Sequence, residues 1–74
     1  MSPSEIARLQ AYLSDKFNSS TLTVRGRPNK DDSAEVYMGD EFIGVLFRDD
    51  EEGDVSYDFN MAILEIDLPE SADG

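Results

Sequence analysis

Two spacings of apolar residues divide the chain. Ile6, Leu9, Leu13 and Phe17 recur every three or four positions, whereas from Thr21 onward apolar and polar residues tend to alternate. The first spacing predicts a helix with one core-facing stripe, and the second predicts strands. Ser2-Pro3-Ser4-Glu5 supplies the helix opening: a serine cap, proline at the first helical position, and a glutamate three residues after the cap to complete a capping box. The helix is expected from Pro3 to about Phe17, where Asn18-Ser19-Ser20 breaks it.

The strands follow as a meander. Thr21 to Arg25 reads as a first strand with Leu22 and Val24 inward, and Gly26 to Asp32 reads as a loop rich in Gly, Pro, Asn and Asp. From Ser33 to Ile63 the pattern gives three antiparallel strands. Gly39-Asp40 is a two-residue hairpin turn that sets Met38 opposite Glu41, Val36 opposite Ile43 and Ala34 opposite Val45. On that register Ala34, Val36, Met38, Ile43, Val45 and Phe47 face the core, and Ser33, Glu35, Tyr37, Phe42, Gly44, Leu46 and Arg48 face away.

Val55, Tyr57, Phe59, Met61 and Ile63 alternate strictly with polar or small residues, so they are expected on the core side. A three-residue turn Glu51-Glu52-Gly53 would pair Phe47 with Tyr57, Val45 with Phe59 and Ile43 with Met61, apolar against apolar. After Ile63 the apolar parity shifts to Leu64, Ile66 and Leu68. A bulge or bend near Ala62 to Leu64 would re-aim these residues toward a sheet edge or the second face. The fold expected is α+β, an N-terminal helix on a four-stranded antiparallel meander, with residues 1–68 as one domain and 69–74 as a disordered tail.

Charge refines this picture. The chain carries 17 acids against 6 bases, a net −11, and has neither cysteine nor histidine. Residues 1–37 are balanced, so the whole excess lies in the second half, which would repel nucleic acid and anionic membranes and attract basic partners. Lack of cysteine and histidine removes the thiol nucleophile, the usual neutral-pH base and the commonest zinc ligands. No apolar run approaches the length needed to span a bilayer, and no basic segment followed by an apolar stretch opens the chain, so a cytoplasmic location is expected.

Three stretches are candidates for function. The acidic turn Asp49-Asp50-Glu51-Glu52-Gly53-Asp54 invites comparison with a calcium loop. With Gly53 at the sixth position, however, Arg48 and Phe59 occupy the two positions that need carboxylates, and strands flank the turn. It is expected to hold no metal. Arg25, Arg27 and Lys30 form a basic loop that could contact a nucleotide or RNA, although no glycine nest or following helix accompanies it. Tyr37, Phe42 and Leu46 form an apolar group on the face that the helix does not cover. It is open to a partner or a second copy unless Leu64, Ile66 and Leu68 fold over it.

The opening SPSEIARLQAYL, the run AEVYMGDEFIGVLFRDDEEG and the strand SYDFNMAILEIDL together resemble a family of short bacterial proteins catalogued as a domain of unknown function. The resemblance spans nearly the whole chain and implies the fold plan and a bacterial cytoplasmic origin, but no activity, cofactor or site residue. The function expected is therefore a small acidic protein-interaction module, not an enzyme and without cofactor. Tyr37, Phe42, Leu46, Asp49, Asp50, Glu51 and Glu52 would contact a basic protein partner, and a homodimer is possible. The alternative is a nucleotide- or RNA-binding protein using the loop from Arg25 to Lys30.

Overall fold

The computed structural model describes residues 1–51 and 53–71. Helix α1 spans Pro3–Lys16, and strands β1 (Leu22–Arg27), β2 (Lys30–Met38), β3 (Glu41–Asp49) and β4 (Ser56–Asn60) form one antiparallel sheet in chain order. Ser2 caps the helix and Glu5 closes the capping box, as the opening residues dictate. At the other end Asn18 takes a left-handed conformation, φ 51°, which ends the helix.

Leu13, Leu22, Val24, Ala34, Val36 and Leu46 are the buried core, with Met1, Ile6, Leu9, Met38, Ile43 and Phe59 packed around them. The helix lies off centre, with its closest approach over β1. Gly26, lacking a side chain, lets Ile6 Cδ1 come close there. The Gln10 side chain of α1 reaches over the side of the sheet and accepts the Val24 N–H at 3.0 Å, a donor that β2 does not use. Phe17, at the end of the helical stripe, stays largely exposed and meets Phe59 edge-on, ring centroids 6.3 Å apart.

The β2–β3 hairpin begins as expected, with Met38 opposite Glu41, Tyr37 opposite Phe42, and Gly39 at φ 60° in the turn. Then the register shifts. Ile43 is an extra residue in β3, so Val36 faces Gly44 and Ala34 faces Leu46. A bulge of one residue exchanges the two faces of everything beyond it. Leu46, expected to face away, is 2% exposed in the core, whereas Val45 and Phe47 take the outer face.

β4 follows the shifted strand: Leu46 pairs with Phe59, Arg48 with Tyr57, and Phe47 with Asp58, one residue away from the expected pairing. Tyr57 and Phe59 still face the helix, and Asp58 and Asn60 face outward, so no polar residue of β4 enters the core. Gly53, at φ 92°, donates to the Asp50 carbonyl in the β3–β4 turn, and the Asp49 carboxylate accepts the Glu51 N–H at 3.0 Å.

Two further expectations are corrected. The loop expected over Gly26 to Asp32 is a tight hairpin, because Asn29 accepts the left-handed conformation (φ 64°) and Pro28 sits where no ladder donor is needed. The last strand ends at Asn60. Beyond it Glu65–Asp67 form a single 3₁₀ turn; Met61, Ile63, Leu64, Ile66 and Leu68 are all more than half exposed, and Met61–Leu64 with Asp67 line a hollow of about 990 Å³ beside Glu41–Val45 of β3 instead of packing over the sheet. Of the tail expected over 69–74, residues 72–74 lie outside the described residues.

Candidate functional site

Because α1 sits over β1, it leaves space beside the inner face of β3 and β4. There lies a groove of about 570 Å³ lined by Leu9, Leu13, Leu46 and Phe59 together with Tyr12, Phe17 and Tyr57. Arg8 and Lys16 stand on its rim, one turn to either side of Tyr12, and Lys16 Nζ lies 5.4 Å from the Tyr12 ring centroid. Two cations thus border an apolar hollow of a chain whose net charge is −11.

A polar clamp closes the end near the helix N-terminus. Glu5 Oε1 accepts the Ser2 N–H at 3.1 Å as part of the capping box, while Glu5 Oε2 accepts the Tyr57 hydroxyl at 2.6 Å and lies 3.2 Å from Arg48 Nε. The Tyr57 hydrogen bond, then the Ser2 N–H, with the Arg48 charge behind them, hold the Glu5 carboxyl down at about 2 against the opposing effect of burial. Tyr57 is pushed up by donating to that carboxylate, and burial adds to the effect. At neutral pH the pair is an ionised acceptor and a neutral donor. This is a structural tie, with Glu5 shifted in the wrong direction for a general acid.

Among the described residues no α-helix lies over the outer face of the sheet. Register and alternation place Arg25, Glu35, Tyr37, Phe42, Val45 and Phe47 on it. Tyr37 and Phe42 meet edge-on at 5.6 Å, the Arg25 guanidinium lies 4.0 Å over the Tyr37 ring, and the Tyr37 hydroxyl donates to Glu35 at 3.0 Å. That bond to Glu35 raises the Tyr37 pKa above its ordinary value. Phe42 and Phe47 are 51% and 41% exposed. Asp58 stands directly across from Phe47, and Asp49 lies two residues further along the same side of β3.

The structure therefore keeps Tyr37 and Phe42 together and removes Leu46 from them, putting Val45 and Phe47 in its place. Asp49, Asp50 and Glu51 are exposed beside that face, with Arg48 3.7 Å from Asp50, and Glu52 lies outside the described residues. Among the described residues no three potential ligands converge to hold a metal ion. The basic cluster is dispersed on strands: Arg25 covers Tyr37, and Arg27 donates to Ser33 Oγ at 3.3 Å and lies 4.0 Å from Glu35.

Sequence reasoning missed the groove. Its one available signal was the spacing of Arg8, Tyr12 and Lys16, which lie four residues apart on one side of the helix beside the apolar stripe. No helix among the described residues is long and apolar enough to cross a membrane. Residues 5–67 match a family model described as a protein of unknown function (DUF3126), and the chain belongs to that family. No curated protein and no solved structure matches it.

Proposed function

We propose that this DUF3126 chain is a non-enzymatic binding module that receives a basic protein segment on the sheet face its helix leaves bare. The observation that carries the reading is the exposed pair Phe42 and Phe47, aligned with Tyr37 and Val45 and bordered by Asp49 and Asp58. Aromatic anchors inside an acidic border suit a partner with apolar residues among lysines and arginines. Asp49, Asp50 and Glu51 steer encounter, and the aromatics slow release. We assign the module to the bacterial cytoplasm, in keeping with a chain free of cysteine.

The test is kinetic. A basic partner captured from the native cell should associate more slowly with the Asp49→Asn, Asp50→Asn, Glu51→Gln variant, with a flatter salt dependence and little change in release. Phe42→Ser with Phe47→Ser should instead speed release. Retention that neither variant alters would refute the reading.

A further inference from the structure

We propose that the segment Met61–Leu68 of one copy docks in the groove between helix and sheet of a second copy, making a reciprocal dimer. This surface is separate from the outer face, so the proposal stands independently of the function above.

The segment is built to be covered. Met61, Ile63, Leu64, Ile66 and Leu68 are exposed together, Ile66 at 85%, and acids at Glu65, Asp67 and Glu70 are interleaved with them or follow them. Extended, it would place Leu64, Ile66 and Leu68 on one side and Glu65 and Asp67 on the other. The groove offers the complement, an apolar lining with Arg8 and Lys16 along it, while its one acid, Glu5, is held by Tyr57 and Arg48 at one end. Lengths also agree: eight extended residues reach about 26 Å, and the 14 residues of α1 run about 21 Å. The 3₁₀ turn held by Asp67 N–H to Leu64 and Leu68 N–H to Glu65 opens on docking.

The chain's own groove is the wrong receiver. Tyr57 meets Glu5 at the start of α1 and Phe59 meets Phe17 at its end, so β4 runs along the helix and leaves the groove at Phe17. Met61–Leu64 instead lie beside Glu41–Val45 of β3, lining a hollow of about 990 Å³ with them rather than turning back along α1. Exchange between two copies would bury the exposed segment.

Sedimentation velocity of the full chain over a wide concentration range provides the test, alongside spectra confirming that each variant keeps its fold. The wild type should dimerise, and Ile66→Asp should weaken the dimer by about tenfold or more, the effect of removing one buried aliphatic anchor. Arg8→Glu with Lys16→Glu should also weaken it, and adding Glu65→Lys with Asp67→Lys should restore it. In a mixed-label sample, intermolecular contacts should join Ile66 methyls to the Phe59 ring. A wild type that stays monomeric, a dimer indifferent to Ile66→Asp, unrescued charge reversal, or contacts only within one copy would each overturn the proposal. Ile66→Asp leaves the outer face intact, so binding of a basic partner by that variant is scored separately.

Discussion

The hydroxyl of Tyr57 donates a 2.6 Å hydrogen bond to Glu5 Oε2 and joins the last strand to the first turn of the helix across 52 residues of chain. The same carboxylate caps that turn and pairs with Arg48 of β3, so three elements meet on one side chain.

Tyr57→Phe should therefore release Glu5 upward from about 2 toward the ordinary glutamate range. A carboxylate lowered in the folded state contributes stability that is complete above its unfolded pKa and is lost as pH falls through the folded value. For Glu5 that window runs from about 4.5 down to about 2. Carbon-detected titration of the Glu5 carboxyl checks the shift directly. Urea midpoints of wild type and variant should differ at pH 7 and converge toward pH 2.

The bulge at Ile43 makes neighbouring residues of β3 unequal. Leu46→Ala should cost about 2–5 kcal/mol, as deletion from a buried aliphatic site does. Val45→Ala, on the outer face, should cost less than about 1 kcal/mol. Urea denaturation of the two variants decides between this register and an unbulged hairpin, which reverses the order.

A Cβ on Gly44 would sit 2.6 Å from the Phe59 ring and closer still to the Asn60 carbonyl oxygen. Gly44→Ala should destabilise by about 1–3 kcal/mol, the range for overpacking. Pairing it with Phe59→Leu should restore little of the loss. A ring can be trimmed, but the carbonyl belongs to the β3–β4 ladder and cannot withdraw without breaking it.

Helix, meander order and turns were readable because each rests on local chemistry: the Ser2–Glu5 capping box, Gly39 in its turn, and the alternation that puts Tyr57 and Phe59 inward. The bulge was not readable. Phe42, Ile43, Val45, Leu46 and Phe47 are apolar at both parities, so neither register of β3 exposed an obvious error, and β4 inherited the choice. One of the three apolar site residues was affected by it, since Tyr37 and Phe42 precede the extra residue and Leu46 follows it. The groove depends on how far α1 sits to one side of the sheet, which the periodicity of neither element encodes.

The Gln10–Val24 hydrogen bond limits how many neighbours the sheet can acquire. At β1 the helix already occupies an amide that an incoming strand would need, which leaves β4 as the flank open to main-chain pairing. A sheet with two open flanks can recruit strands without end and grow into a fibre. With a valence of one, two copies joined through β4 would present only guarded flanks, and growth would stop at eight strands.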